Sequence, residues 1–139
     1  MSGKSKLILN SNQLELTINR LAFELIENHI NLLDKSVIIG MQPRGIKLSE
    51  RIHSIVERNT KNKIKKGVLD VTFFRDDFRR REGVITPNKT SIDFSLEGLN
   101  IILIDDVLFT GRSIRSALDA LVSFGRPNKV ELLVLIDRR

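Results

Sequence analysis

The sequence has 139 residues and a mass of 15.9 kDa, which corresponds to a single domain. Apolar residues make up 41% of it, and it contains no cysteine and two histidines, so whole-chain disorder, disulfide frameworks, thiolate metal sites and zinc clusters are excluded. Lys and Arg number 23 against 17 Asp and Glu, and the net charge of +6 suits an anionic partner, either a nucleic acid or a phosphorylated small molecule.

The apolar segments of the sequence are short. The longest run, Leu132–Ile136, falls far below the ~20 residues of a membrane helix, and so does the shorter run Val37–Ile39. The first residues also lack the charged-then-apolar pattern of a signal peptide. We therefore expect a cytoplasmic protein without a membrane partner.

The first third of the chain predicts a helix, a strand and a second helix. Asn12 followed by Glu15 is a capping-box pattern that predicts a helix over about 12–32. The β-branched run Ser36–Met41 predicts a buried strand. Apolar residues at three- and four-residue steps mark the inner faces of the two helices: Leu14, Ile18, Leu21, Ala22, Leu25 and Ile26, then Leu48, Ile52, Ile55 and Val56.

The rest of the chain continues this alternation. Strands are predicted at Val68–Phe74, Ile101–Ile104 and Val130–Ile136, with a helix at Ser113–Phe124 and a flexible loop over about 75–98. Alternating strands and helices predict one α/β domain over residues 1–139, a parallel twisted sheet flanked by helices on both faces. Ligands of such sheets bind at the carboxyl ends of the strands.

The strongest motif is an apolar strand that ends in two acids and a short turn into a helix. It consists of Ile101, Ile102, Leu103, Ile104, Asp105, Asp106, Val107, Leu108, Phe109, Thr110, Gly111, Arg112 and Ser113. Free N–H groups of the turn and the helix dipole favour a phosphate there, and the two carboxylates can accept hydrogen bonds from vicinal hydroxyls. The pattern indicates a ribose 5-phosphate site, although an isolated Asp pair could also bind Mg²⁺ or cap a helix.

These thirteen residues resemble the phosphoribosyl-pyrophosphate (PRPP) signature of type I phosphoribosyltransferases. The likeness covers nearly the whole chain, including residues 39–45, 69–77, 125–127 and 135–138, and is greatest to the bacterial pyrimidine operon attenuation proteins that have uracil phosphoribosyltransferase activity. The resemblance implies that PRPP and uracil give UMP and pyrophosphate, with Mg²⁺ bound through PRPP oxygens and water rather than by protein ligands. It also implies a homodimer or a higher homo-oligomer.

The resemblance assigns roles to individual residues. It implies that Asp105 and Asp106 are catalytic residues that bind the ribose hydroxyls. It also implies that Val107, Leu108 and residues 109–113 bind substrate around the 5-phosphate, and that Arg138 faces the substrate. Three further groups complete the implied site: Pro43 and Arg44 in the pyrophosphate loop, Arg75 as a catalytic residue of the closing loop, and Asp76 and Asp77 beside it.

The loop Gly40–Gly45 can also be interpreted from its residues alone. Its two glycines permit unusual backbone angles and close approach to an anion, and Arg44 can bind phosphate oxygens. The loop is not a nucleotide-triphosphate P-loop, since the lysine comes one residue late at Lys47 and Leu48 has no hydroxyl.

Two departures from the family pattern bear on the predicted function. In the family the chain continues past the Asp-Arg pair into a hood that supplies the base pocket, whereas this sequence ends at Arg139. Either the sequence is a fragment that lacks the hood, or base recognition is incomplete. RNA-binding members carry Thr and His where this sequence has Asn19 and Phe23, and this difference argues against RNA binding. The alternative function is a nucleotide-sensing regulator that binds pyrimidine operon leader RNA with weak or no catalysis.

Other features have simpler interpretations. The acid-free stretch with Arg58, Lys61, Lys63, Lys65 and Lys66 is either a nucleic-acid patch or a solvated connection, and we favour the latter. His29 and His53 lie in predicted helices without a predicted partner. A receiver-type signalling domain is disfavoured, because receivers place their acidic pair after the first strand and 104 residues precede it here.

Overall fold

The computed structural model describes residues 10–42, 44–70, 90–108 and 112–137. The helices are α1 (Ser11–Asn28), α2 (Ile46–Thr60) and α3 (Arg112–Leu121), and the strands are β1 (Ser36–Met41), β2 (Lys65–Leu69), β3 (Asn100–Leu108) and β4 (Lys129–Asp137). Short 3₁₀ turns precede β1 and follow α3. None of the helices in these ranges has the length and apolar character needed to span a bilayer.

The four strands form one parallel sheet in the order β2-β1-β3-β4. Ile39 lies between Gly67 on one side and Leu103 on the other, so β1 and β3 occupy the middle of the sheet. Each parallel connection that the structure describes requires the chain to cross over the sheet, and helices make such crossovers. The predicted parallel α/β sheet is therefore confirmed.

Apolar side chains fill a layer on each face of the sheet. Successive residues of β3 alternate between them: Ile102 and Ile104 pack under α1 and α2, whereas Ile101 and Leu103 pack under α3. The predicted inner faces of the first two helices are confirmed, since Ile18, Ala22, Leu25, Ile26, Leu48, Ile52, Ile55 and Val56 are all buried and Leu14 and Leu21 pack against them. Burial on both faces explains why β1 and the first half of β3 are continuously apolar.

The start of α1 differs from the prediction. The N-cap is Asn10 rather than Asn12: its side chain accepts a hydrogen bond from the Gln13 N–H at 2.8 Å, and Gln13 Oε1 accepts one from the Asn10 N–H at 2.9 Å. This is a capping box with Gln at the third position. Both asparagines have a suitable partner three residues later, so the local pattern allowed two starts. The helix also ends at Asn28, before the predicted residue 32.

Three other boundaries differ from prediction. β2 runs over Lys65–Leu69 instead of beginning at Val68, and residues 71–74 of the predicted strand lie outside the described residues. β3 continues to Leu108, so the acidic pair lies within the strand and not after it. The helix predicted over Ser113–Phe124 is α3 followed by a 3₁₀ turn at Val122–Phe124.

The last part of the predicted flexible loop belongs to the core. Residues 75–89 lie outside the described residues, but Ser91 forms an antiparallel bridge with Val68. Leu96 is fully buried, and its N–H donates to the Phe124 carbonyl at 2.8 Å. Residues 90–98 are therefore anchored to the domain and are not part of a lid. The prediction missed this because polar residues surround the few apolar positions of the segment.

Both histidines have partners, contrary to prediction. His29 is buried at the end of α1, where its ring nitrogens contact the Leu25 carbonyl oxygen and the Glu131 carboxylate of β4. His53 is buried in α2, and its Nε2 lies 2.6 Å from the carbonyl oxygen of Ile64. Because Glu131 is 102 residues away from His29 in sequence, local reasoning could not pair them. Both histidines join helices to neighbouring segments.

Candidate active site

The candidate site lies at the carboxyl ends of β1 and β3, where the strand order of the parallel sheet switches from one side of β1 to the other. The connection from β1 leads to β2 on one side of β1, whereas β3 lies on the other side of it. In an open parallel sheet, the loops at the carboxyl ends of two such strands diverge and leave a crevice that binds ligands. The loop after β1 and the acidic pair of β3 flank this crevice.

The loop after β1 lies directly against β3 because Gly45 has no side chain. A Cβ atom at Gly45 would lie 2.3 Å from the carbonyl oxygen of Ile104. A Cβ at Gly40 would lie 2.3 Å from the Ser49 hydroxyl of α2. Both glycines thus allow close packing within the protein, whereas close approach to an anion stays a prediction. Unusual backbone angles are not involved, since φ of Gly45 is −87° and Gly40 lies in regular β1. The glycines therefore provide space.

Backbone hydrogen bonds hold the loop in place. The Gly45 N–H donates to the Met41 carbonyl at 2.7 Å, and the Gly45 carbonyl accepts from the Ser49 N–H at 2.9 Å in the first turn of α2. The Gln42 N–H donates to the Leu69 carbonyl at the end of β2 at 2.9 Å. The loop is thus fixed to β1, β2 and α2 before any ligand binds, which positions Arg44 at the sheet edge.

Arg44 faces the acidic pair across the crevice. Its Nε lies 3.9 Å from Oδ1 of Asp106, and the Arg44 side chain is 72% exposed while that of Asp106 is 30% exposed. Oδ1 of Asp106 is itself buried and receives no hydrogen bond from the described residues. A distance of 3.9 Å is too long for a hydrogen bond, so the Arg44 guanidinium retains its donors for an anion.

The two carboxylates differ in their surroundings. Burial raises the pKa of Asp105 to about 6 from the ordinary 3.8; the Asp106 N–H donates to Asp105 Oδ1 at 2.8 Å and opposes the rise. The Asp106 carboxyl adds to the rise in the pKa, whereas Arg44 lowers it. Near pH 6 Asp105 can therefore hold or release a proton.

Asp70 is a third acid at this edge of the sheet, and the sequence interpretation gave it no role. It follows β2 directly and is 2% exposed, and its N–H donates to the Thr90 hydroxyl at 2.9 Å. An acid that directly follows an apolar strand was a usable signal, but the strand was predicted to continue to Phe74. A buried carboxyl is costly unless it has partners, so Asp70 belongs to the polar framework of this edge.

The structure brings together only some of the predicted site residues. Asp105, Asp106 and Arg44 lie side by side, and Ile101–Ile104 form the buried half of β3. The backbones of Val107 and Leu108 continue β3, and Arg112 and Ser113 begin α3. The others lie outside the described residues: Pro43, Arg75, Asp76, Asp77, Phe109, Thr110, Gly111 and Arg138.

Comparison with known proteins decides the family. The phosphoribosyl transferase domain family matches residues 5–139. This chain belongs to the phosphoribosyltransferase family. The bifunctional protein PyrR of Caldicellulosiruptor bescii is 40% identical over 135 residues, which are 97% of this chain and 74% of that protein. PyrR of Actinobacillus succinogenes is 44% identical over 140 residues, with 96% of this chain and 75% of the relative covered. The chain is thus a PyrR-type member of the family.

Solved structures share the fold at low sequence identity. The purine phosphoribosyltransferase of Pyrococcus horikoshii has a TM-score of 0.68 at 22% identity, and 93% of this chain and 76% of that chain are covered. The hypoxanthine phosphoribosyltransferase of Trypanosoma cruzi has a TM-score of 0.73 at 12% identity, with 97% and 73% covered. The type I phosphoribosyltransferase fold predicted from the sequence is therefore confirmed.

Proposed function

We propose that this chain is a uracil phosphoribosyltransferase of the PyrR type, which converts uracil and PRPP to UMP and pyrophosphate. The observation that carries the proposal is the position of Arg44 opposite Asp106, at the crevice between β1 and β3, in a chain that belongs to this family. A cation beside two carboxylates suits a substrate that has both phosphate oxygens and ribose hydroxyls.

The reaction exchanges one bond at the anomeric carbon of the ribose. The bond from that carbon to the pyrophosphate oxygen breaks, a bond to a uracil ring nitrogen forms, and the proton of that nitrogen is released. Positive charge develops on the ribose as the pyrophosphate leaves, and the nearby carboxylates stabilise it. Arg44 compensates the negative charge that accumulates on the departing pyrophosphate.

The remaining assignments extend this proposal to residues outside the described ranges. Pro43 completes the pyrophosphate loop, and residues 109–113 bind the 5-phosphate with their N–H groups and hydroxyls at the start of α3. Arg75, Asp76 and Asp77 close over the bound substrate, and Arg138 faces it from the end of β4. We further propose that residues 1–139 act as one domain.

The carboxylates also fit the Mg²⁺ ion that phosphoribosyltransferases use with PRPP. Asp106 offers an oxygen that no described residue bonds, and Mg²⁺ favours sites with one or two carboxylates, substrate phosphates and several waters. We propose that Asp105 and Asp106 hold the water shell of the ion. When bound, the ion neutralises charge on the pyrophosphate group. Within the described residues there is no cluster of three or more His, Cys, Asp or Glu that would bind a metal by itself.

The test is a turnover assay with purified chain, labelled uracil, PRPP and Mg²⁺, in which UMP is separated and counted. We expect UMP formation that falls about 100-fold in Asp106→Asn, the size expected when one transition-state contact is lost. Asp119→Asn, in an exposed part of α3, is the matched control and should leave the rate unchanged. Product with another base but not uracil would overturn the base assignment, and no product with any base would overturn catalysis by this chain.

RNA binding is the second candidate function. Arg58, Lys61, Lys63, Lys65 and Lys66 are exposed, lie in a stretch without acids at the end of α2 and the start of β2, and contribute to the net charge of +6. Lys65 also lies over the Phe94 ring, with its Nζ 5.1 Å from the ring centroid. Phosphate contacts by such a surface make RNA affinity fall steeply with salt.

This candidate can be tested separately from turnover. Filter binding of pyrimidine leader RNA should show a salt-dependent affinity, with a slope that decreases by about one for each contacting lysine removed, as in Lys63→Ala and Lys66→Ala. Lys35→Ala, outside this stretch, is the control. An affinity that is insensitive to salt, or unchanged in both variants, would exclude this surface.

A further inference from the structure

A side-chain hydroxyl continues the hydrogen bonding of β2 beyond its last strand residue. The backbones of Val68 and Ser91 exchange two hydrogen bonds, with N···O distances of 3.1 and 2.8 Å. Nearer to the carboxyl end of the sheet, the Thr90 hydroxyl accepts from the Asp70 N–H at 2.9 Å and faces the Asp70 carbonyl oxygen at 3.5 Å. Thr90 therefore holds the backbone of a residue that lies 20 positions before it in the chain.

The peptide group between Leu69 and Asp70 connects this contact to the crevice. Its N–H donates to the Thr90 hydroxyl, and its carbonyl oxygen accepts from the Gln42 N–H at 2.9 Å. A peptide group is planar, so these two hydrogen bonds from opposite sides fix its orientation. Hydrogen bonds in such a chain also polarise and strengthen one another. Loss of the bond to Thr90 should therefore weaken the bond that holds Gln42.

Gln42 is the first residue of the loop that carries Arg44. The Gly45 N–H closes this loop onto the Met41 carbonyl at 2.7 Å. The Arg44 side chain is 72% exposed, and its Nε lies 3.9 Å from Oδ1 of Asp106, which is too long for a hydrogen bond. The backbone of the loop therefore sets the position of Arg44, and the Gln42 N–H is one of the groups that hold this backbone.

The segment around Thr90 has a defined position against β2. A Cβ atom at Gly67 would lie 3.1 Å from the Ser91 carbonyl oxygen and 3.1 Å from a side-chain carbon of Ile92. Ile92 is buried, so the segment is packed on the strand at this point. Asp70 is 2% exposed, and a buried N–H that loses its acceptor is costly. Packing thus holds the Thr90 hydroxyl beside an N–H that needs it.

We propose that Thr90 is a positioning residue for the loop that presents Arg44 to a pyrophosphate group. It acts through the Leu69–Asp70 peptide group, which in turn holds Gln42. The role of Arg44 rests on the proposed function, whereas the hydrogen bonds that fix its loop do not. Negative charge accumulates on the departing pyrophosphate, so a loop that is held less firmly should weaken the binding of pyrophosphate and of the transition state, but not that of uracil.

The first test is calorimetric titration of the purified chain with inorganic pyrophosphate and Mg²⁺, which needs no turnover. Thr90→Val removes the hydroxyl and keeps the branched shape, and we expect it to weaken the affinity about tenfold, as for one lost hydrogen bond. Thr90→Ser keeps the hydroxyl and should retain the wild-type affinity. Circular dichroism checks that the variants remain folded. Unchanged affinity in Thr90→Val, equal weakening in Thr90→Ser, or no binding by the unaltered chain would overturn the proposal.

Thr60→Val is the matched control. The Thr60 hydroxyl also accepts a backbone hydrogen bond, from the Asn62 N–H at 3.2 Å. It lies at the end of α2, which leads into the start of β2 and is therefore at the opposite edge of the sheet from the crevice. This variant should leave the pyrophosphate affinity unchanged, and a tenfold loss in it would overturn the assignment to Thr90.

A double-mutant cycle tests whether Thr90 acts through Arg44. Arg44→Ala removes the side chain that the loop presents, so adding Thr90→Val to it should weaken pyrophosphate binding no further. Additive losses of affinity in the double variant would mean that Thr90 acts by another route and would overturn the proposal.

Initial rates separate this inference from the proposed function. With PRPP and uracil varied in turn, Thr90→Val should lower kcat/KM for PRPP about tenfold and leave KM for uracil unchanged. A lower kcat with both KM values unchanged would indicate a smaller active fraction, a merely structural role for Thr90, and would overturn the proposal. If no base gives product but the pyrophosphate affinities follow the expected pattern, the proposed function fails and the positioning role of Thr90 stands.

Discussion

The carboxyl edge of the sheet and the apolar layer under α1 and α2 use space in opposite ways. In the layer, side chains such as Ile52 and Ile102 fill the volume and are buried. At the edge, backbone atoms fill it: Gly45 lies against the Ile104 carbonyl oxygen, and the side chains there are charged. Ile104 belongs to both regions, since its side chain packs in the layer and its carbonyl contacts the loop. The apolar layer fixes the strands relative to the helices. Because the strands are fixed, the charged side chains at the carboxyl edge have defined positions.

The largest expected effect is in the apolar layer. Ile52→Ala removes a fully buried side chain and should lower the free energy of unfolding by about 4 kcal/mol, because it leaves a cavity between α2 and the sheet. Ile52→Val should cost only about 1 kcal/mol. Urea denaturation measures both. Equal losses of unfolding free energy in the two variants would mean that the size of the cavity does not determine the loss of stability in this layer.

At the edge, Gly45→Ala should cost about 3 kcal/mol, because the added Cβ would lie 2.3 Å from a backbone oxygen that cannot move without disturbing β3. Gly98→Ala is the control. Gly98 has open space around its Cβ position but a φ of +74°, so the change should cost about 1 kcal/mol through backbone strain alone. If Gly45→Ala were as mild as Gly98→Ala, the loop would not depend on close backbone contact.

Substitutions at the start of α1 test how much the N-cap of this helix contributes to the stability of the fold. Asn10→Ala should lower the free energy of unfolding by about 1 kcal/mol, because it removes the acceptor for the Gln13 N–H. Asn12→Ala, two residues on, should have almost no effect. Thermal denaturation of both variants separates the two candidate N-caps, and a larger loss in Asn12→Ala would contradict the capping box seen here.

The smallest expected effect concerns the pH dependence of stability. The pKa of Asp105 is raised in the folded chain, so its contribution to stability is fully present below about pH 3.8 and is lost as the pH rises through about 6. Asp105→Asn should remove this loss and be more stable than wild type at pH 7 by about 0.5 kcal/mol after solvent screening. Denaturation at a series of pH values checks the sign. A variant that is less stable at pH 7 would show that the carboxylate has favourable partners.

The fold and the acidic pair were predictable because their signals are local. The strand Ser36–Met41 was predicted with its observed bounds, and the inner residues of α1 and α2 follow the helical period. Asp105 and Asp106 follow an apolar run that is recognisable without a structure. The errors came where a local pattern had two solutions, as with Asn10 and Asn12, or where distant residues decided the outcome, as with His29 and Glu131.

The sequence by itself determined the alternation of strands and helices, the apolar faces that bury them, and the type of charges at the end of β3, because these depend on residues close together in the chain. Only the tertiary structure decided that Arg44 meets Asp106 and that Gly45 provides space. These contacts join β1 to β3 across more than fifty intervening residues, and strand order sets them. The same holds for the contact of the Thr90 hydroxyl with the Asp70 backbone, which joins residues 20 positions apart.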